Sequence, residues 1–174
     1  MQDGKIKNYD HGMEMIDRIA QSMARIPSGL FIVTVGPDME GTGYLASFVQ
    51  QLGMKPLTFG CAVAPDRAAY PLIKEHRKIG VHFLSEGEGK FLKHFGRGFA
   101  PGEFAFEGLD CEVVDGVPMI KEIPFRLVAN VTGDVDVGSD HRCLIAQPTA
   151  GFIPEENSEQ AKPWVHQRKD ARKY

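Results

Sequence analysis

The sequence predicts a mainly β protein of the α+β kind, an antiparallel sheet rolled into a barrel with peripheral helices. Three observations predict it. Apolar β-type runs outnumber helical patterns. They follow one another with turn residues between them, as in consecutive hairpins. No regular strand–helix–strand alternation of the kind that builds a parallel sheet is present. Rolling the sheet up removes its exposed edges. At 174 residues the chain is expected to form a single domain over residues 1–174, long enough to bury about two-thirds of its unfolded surface. Hydrophobic residues at 43% and charged residues at 25% fit an ordinary globular protein.

The elements follow in order. Met13, Ile16, Ile19, Ala20 and Met23 recur at helical spacing and predict an amphipathic helix, which Pro27 and Gly29 end. Leu30, Phe31, Ile32 and Val33 lie in an apolar β run from Gly29 to Val35, closed by the turn residues Gly36-Pro37-Asp38. Gly41 to Ala64 reads as a turn, a strand carrying the small pair Ala46-Ser47, a break at Pro56 and a second strand of small apolar residues. Small side chains give up packing area, so such a sheet leaves room for something else, and a flat ligand against the backbone is one candidate. A tight hairpin over an ordinary core is the plainer alternative. Asp66 to Lys78 is expected to be helical, Ile79 to Leu84 β, Glu86 to Phe95 a short helix, and Gly96 to Phe106 a loop. The remainder is β again, at Cys111–Val114, Met119–Ile123, Phe125–Val137 and Arg142–Gln147. Hairpin turns fall at Asp115-Gly116 and Gly138-Ser139. The polar stretch Ile153 to Lys162 is expected to be a surface excursion.

Several function classes are excluded. A net charge of −3 argues against nucleic acid or a membrane surface as partner. No apolar run approaches a membrane span, and the first residues lack a signal core, so a cytoplasmic location is expected. Cys61, Cys111 and Cys143 are odd in number, widely spaced and set among apolar residues. They read as buried small hydrophobes in a reducing compartment. No Cys/His cluster has zinc spacing, so no metal is expected. Gly41-Thr42-Gly43-Tyr44-Leu45-Ala46, with Asp66 downstream, matches a dinucleotide-binding fingerprint. In that motif, however, the strand runs straight into the first glycine and a helix follows at once. Here Gly36 to Glu40 intervenes, and the next segment stops at Gly53 and Pro56.

Read together, the motifs resemble the flavin reductase-like, FMN-binding split-barrel family, and within it the flavin reductase module of cyanobacterial flavodiiron (diflavin) flavoproteins. The similarity runs from about Met23 to Tyr174. It is carried by Ile26-Pro27-Ser28-Gly29 opening the first strand, by Leu45-Ala46-Ser47-Phe48 with Lys55-Pro56-Leu57 in the hairpin, and by Asp66-Arg67-Ala68 before a helix. His94-Phe95 with Phe99-Ala100-Pro101-Gly102, Ser139-Asp140-His141 and the closing Val165-His166 and Arg168-Lys169 complete it. The resemblance implies a six-stranded antiparallel Greek-key split β-barrel, a homodimer, and FMN as cofactor. NADH or NADPH would be co-substrate, and a downstream protein could accept the electrons. The implied flavin-binding residues are Leu45, Ala46, Ser47, Phe48, Ala62, Val63, Ala64, Arg67 and Phe99. His141 is the implied catalytic-site residue, positioning the nicotinamide.

Elementary chemistry stands beside that resemblance. A flavin ring needs a flat slot with backbone N–H groups aimed at its carbonyls, and Ala46 and Ser47 let a ring approach the main chain. The phosphate carries about −1.5 to −2 charges at neutral pH. Arg67, at a helix start, offers a guanidinium fork and a helix N-terminus. Taken singly, Arg67 also reads as a solvated arginine, Ser47 as a satisfied strand hydroxyl and His141 as a structural turn histidine. Many family members carry Met-Thr-Ala-Ser where this chain has Tyr44-Leu45-Ala46-Ser47, so Leu45 removes one hydroxyl from the slot. The expected activity is NAD(P)H-dependent flavin reduction. The alternative is a non-catalytic FMN protein that passes electrons from a protein partner.

Overall fold

The computed structural model describes residues 14–154 and 161–172. The chain divides into two compact units, one drawn from Met1–Pro27 with His166–Tyr174, the other Ser28–Val165. The first holds helix α1 (Met15–Met23), which begins after the extended Glu14; Met13, expected in this helix, lies outside the described residues. Of its apolar stripe only Ala20 is buried, while Met15, Ile16, Ile19 and Met23 are exposed. Arg172 reaches Asp17 (2.9 Å) and Asp170 (2.7 Å), and the bonds from these carboxylates hold its proton more tightly than usual.

The larger unit contains β1 (Ser28–Gly29), β2 (Phe31–Val35), β3 (Thr42–Ala46), β4 (Val49–Met54), β5 (Leu57–Val63), α2 (Ala69–His76) and β6 (Lys78–Phe83). It continues with α3 (Gly89–Gly96), β7 (Cys111–Val114), β8 (Val117–Ile120), β9 (Arg126–Asp136) and β10 (Arg142–Phe152). β7 and β8 form a separate hairpin. The main sheet has seven strands in the order β3-β2-β6-β9-β10-β5-β4, and every neighbouring pair is antiparallel.

The mainly β expectation holds, but the count of six strands is corrected to seven. The stretch expected as one strand before Gly53 breaks at Ser47-Phe48 into β3 and β4, which are the two opposite edges of the sheet. That break dictates the shape of the sheet. Six inter-strand steps would hold the edges of a flat sheet about 29 Å apart at ~4.8 Å per step. Three residues from Ala46 to Val49 reach at most about 11 Å. The sheet must curl into a half-barrel until its edges approach one another. Ser47 and Phe48 are the seam. Bonds close it: the Ala62 N–H donates to the Phe48 carbonyl at 2.9 Å, and the Tyr44 hydroxyl reaches Cys61 Sγ and the Ala62 carbonyl, each at 3.5 Å.

Curling also explains why β2 shows no apolar–polar alternation. All five of its residues are buried. Val33 and Val35 point into the barrel with Tyr44, Ala46, Phe59, Cys61, Ile73 and Leu144. Ile32 points to the outer layer, where Leu84, Phe91, Phe95 and Phe106 pack. A strand covered on both faces reads as a continuous apolar run. Several boundaries also move, α3 starting at Gly89, not Glu86, and β8 running Val117–Ile120, not Met119–Ile123. α2 begins at Ala69, not at Asp66, because residues 64–68 form a turn. It ends at Arg77, whose φ of 54° is left-handed and whose N–H caps the Ile73 carbonyl at 2.9 Å. β10 runs on to Phe152, since Pro148 sits at a register shift where no ladder bond is needed. Among the described residues, no helix is long and apolar enough to cross a membrane.

Candidate functional site

The seam gathers most of the expected site residues. On one side lies the turn from Ala64 to Ala68. The Arg67 N–H donates to the Ala64 carbonyl at 3.1 Å, and the Tyr70 N–H donates to the Arg67 carbonyl at 3.0 Å. This tied turn holds the half-buried Arg67 guanidinium over the Tyr44 ring, 5.9 Å from its centroid. The loop after α3 meets it there. Gly98 has a left-handed φ of 73°, and a Cβ on it would stand 3.4 Å from an Arg67 nitrogen. No carboxylate pairs with Arg67 among the described residues. Its charge remains available to an anion.

Phe99 follows on the same loop, its ring 5.5 Å from His94 and 5.7 Å from Phe95. His94 Nε2 donates to the Ala105 carbonyl at 2.8 Å. Arg97 bonds Glu103, which also accepts from the Ala100 N–H at 2.9 Å. These bonds, Arg97's first, hold the Glu103 carboxyl below its usual range. The loop is therefore shaped by its own contacts.

On the other side of the seam, Phe48 stacks edge-on against His141 with centroids 5.8 Å apart. His141 Nδ1 lies 2.9 Å from Asp140 Oδ1. An ionised carboxylate only accepts, so Nδ1 carries the hydrogen and Nε2 is left to face a ligand. The histidine's bond and charge hold Asp140 below the usual carboxylate range. The turn itself is set by Gly138 (φ 71°), whose N–H donates to Asp136 Oδ1 at 2.8 Å.

Ser47, in the link between β3 and β4 beside Phe48, is 3% exposed, its hydroxyl buried without a hydrogen-bond partner. Ser28, Thr34 and Thr42 share that condition; only Ser47 lies in the seam. Leaving such a group unmet costs about 1–3 kcal/mol, so the position fits a ligand that supplies the partner.

Not every expected residue presents its side chain. Ala46 and Val63 point into the barrel core. Leu45 packs outward against the α3 layer and Gly96. The Ala62 N–H and the Ala64 carbonyl are engaged in the bonds of the seam and the turn. Tyr44, the platform under Arg67, had no role in the sequence reading, although an aromatic two residues before the small pair was visible there.

The three cysteines are free. Burial pushes the Cys61 thiol up to about 11, and partial burial does the same for Cys111, so both stay protonated. Cys111 and Cys143 are half-buried, less enclosed than expected. Among the described residues no cluster could hold a metal ion.

Two apolar grooves lie elsewhere on this unit. One of about 730 Å³ has Arg126, Phe152 and Pro163 in its wall, and one of about 390 Å³ has Phe31, Leu57, Phe83 and Trp164. Neither includes Ser47, Arg67, Phe99 or His141. An anionic cofactor needs cations and hydrogen bonds, which the seam supplies; in the first groove Arg126 is already paired with Glu112, and the second groove has no cation in its wall.

Over 167 residues the chain is 30% identical to diflavin flavoprotein A 1 of Synechocystis sp., covering 95% of this chain and 27% of that protein. It spans about a quarter of the length of the curated relatives it matches. The NADH:FAD oxidoreductase SgcE6 of Streptomyces globisporus C-1027 has the same fold, with a TM-score of 0.77 at 19% identity over 90% of this chain and 94% of that one. SgcE6 in complex with NAD and FAD fragments gives 0.74 at 18%, over 89% and 93%. Residues 23–174 match the flavin reductase like domain, and the chain belongs to that family.

Proposed function

We propose that this chain binds FMN across the seam and reduces it with NADH or NADPH. The observation that carries the reading is the partnerless Ser47 hydroxyl in the link between β3 and β4, a link that also carries Phe48 against His141 and follows Tyr44, over which stands a guanidinium with no carboxylate among the described residues. Arg67 and the turn amides would hold the phosphate, and the Ser47 hydroxyl would bond the ribityl chain or ring edge. Phe48 and Phe99 offer aromatic faces beside it. His141, steadied through Nδ1 by Asp140, would orient the nicotinamide with Nε2. The bound flavin supplies the hydride-accepting chemistry; the protein's task is alignment and the exclusion of water. The complex of SgcE6 with NAD and FAD fragments supports a flavin–nicotinamide pairing in this fold.

The whole chain would act as one functional domain in the cytoplasm, where free thiols such as Cys61 persist. A homodimer is the proposed assembly. Exposed Leu52, Met54 and Leu57 on the larger unit, and the bare apolar stripe of α1, support it.

A second reading, an electron-transfer flavoprotein reduced by a protein partner, gains support from the relatives, in which this stretch is about a quarter of a longer chain. Consumption of NADH and NADPH, measured with FMN, FAD or no added flavin, separates the two. The first reading predicts FMN-dependent turnover with at least one nucleotide. Tight FMN binding with no turnover would transfer the reading to the second. No binding of any flavin would end both.

A further inference from the structure

The two sides of the seam are tied together by a cluster that the proposed function does not use. Tyr70, in the first turn of α2, donates its hydroxyl to Asp134 Oδ2 on β9 at 2.9 Å. Arg142, at the head of β10, donates Nε to Asp134 Oδ1 at 2.6 Å and reaches Asp136 Oδ2 at 3.3 Å. The far ends of this cluster are the functional turns. The Tyr70 N–H bonds the Arg67 carbonyl, and Arg142 directly follows His141 while facing Val63, the last residue of β5 before the Arg67 turn. Sixty-four residues separate Tyr70 from Asp134 in the chain, so the contact exists only through the fold.

We propose that Tyr70, Asp134 and Arg142 form one brace that holds the Arg67 turn in register with the His141 turn, coupling the phosphate end of the site to its nicotinamide end. This rests on the flavin reading above. The three are positioning residues, because none needs to touch the ligand. The charges agree with a formed brace. Partial burial pulls the Asp134 carboxyl up, but the bonds from Arg142 and Tyr70, with the charges of Arg142 and Lys74, outweigh it and hold it below its usual range. Partial burial and the bonded carboxylate both push the Tyr70 hydroxyl up. Lys74 lies over the Tyr70 ring, 5.8 Å from its centroid. A phenol shared with an already paired carboxylate has one favoured geometry, whereas a surface pair of flexible side chains has many.

The test uses Tyr70→Phe, which removes one oxygen and keeps the ring, with Asp134→Asn as a stronger second variant. Two measurements are made on the full chain. Amide hydrogen exchange of the flavin-free protein should rise in both 64–70 and 138–143 while staying unchanged in α3. Titration with FMN and with riboflavin should show about tenfold weaker FMN binding and unchanged riboflavin binding. Placed on Arg67→Ala, Tyr70→Phe should cost nothing further for FMN, since the group it positions is gone. A merely structural role would weaken both flavins alike and add its loss to that of Arg67→Ala. Exchange that rises in one segment only, or in neither, overturns the brace, as do additive losses. If Arg67→Ala itself leaves the preference for FMN over riboflavin unchanged, the flavin reading falls instead, and exchange alone then decides the brace: faster in both segments upholds it, anything else overturns it.

Discussion

Ser47 holds a hydroxyl where the fold itself has no use for it, which gives a prediction of opposite signs. Ser47→Ala should leave the flavin-free protein as stable as the parent or more stable by about 1 kcal/mol, since an unmet buried polar group is removed. The same change should weaken FMN binding several-fold. Thermal melts and flavin titrations check the pair, and a variant that loses stability without losing flavin would mean the hydroxyl serves the fold. His82 shows the reverse case, a buried polar group fully met. Its Nε2 accepts from the Ile120 N–H at 2.9 Å, so Nδ1 must donate to the Ile32 carbonyl at 3.1 Å. Burial, with Arg126 nearby, depresses its pKa to about 4, outweighing the bond to Ile32. The sign follows. The unfolded chain takes up the proton as pH falls through 6.5 and the folded chain refuses it until about 4, so stability is full above 6.5 and is lost between those values. The loss is at most roughly 3 kcal/mol. Denaturant midpoints at neutral and mildly acid pH should show this slope for the parent and a shallower one for His82→Gln; equal slopes would contradict it. Sequence alone placed the stretch holding His82, Ile79 to Leu84, as β, and it singled out Ser47 and Arg67 through the small pair and the helix start. It was blind to Tyr70 and Asp134, whose meeting depends on a pairing across the whole sheet.

Among the elements, the seam between β3 and β4 is the feature that sequence periodicity misread. Leu45, Ala46 and Phe48 continue an apolar strand pattern, and nothing local announces that the chain changes edges at Ser47. The long β9–β10 hairpin was legible in its turn residues, but β10 was cut short at Gln147 because Pro148 reads as a stop; a bulge accommodates it. Gly80 in β6 had no role in the sequence reading. The structure gives it a purpose, because a Cβ on Gly80 would collide with Thr34 Oγ1 and Met119 Sδ. Gly80 thus lets β2, β6 and the β8 hairpin pack closely. Gly80→Ala should destabilise the fold by about 1–3 kcal/mol through overpacking, which is roughly 2–4 °C of melting temperature for each kcal/mol in a chain of this size. A variant that melts with the parent would show that β8 yields freely.

On the scale of the molecule, the mainly β class was readable because hairpin turns at Asp115-Gly116 and Gly138-Ser139 and the lack of strand–helix–strand alternation leave few architectures. The curl was not, since it is imposed by the two-residue link between opposite edges. The exposed apolar residues of α1 and of Leu52, Met54 and Leu57 predict self-association. Light scattering behind size-exclusion chromatography should return twice the chain mass, and Leu57→Glu with Met54→Glu should shift it toward the single chain; a parent that elutes as a monomer would remove the dimer from the account. The central claim is that a nicotinamide reduces a flavin lying in the seam beside His141. Anaerobic stopped-flow bleaching of the FMN-loaded protein tests it most directly, with NADH, NADPH and dithionite run on the parent and on His141→Ala. The account predicts bleaching of the parent by a nicotinamide. For His141→Ala it predicts full flavin content, normal dithionite reduction, and nicotinamide-driven bleaching slowed on the order of a hundredfold, the cost of misplacing the donor by about 1 Å. An unchanged nicotinamide rate in His141→Ala, or a parent that dithionite bleaches and neither nucleotide does, would contradict it.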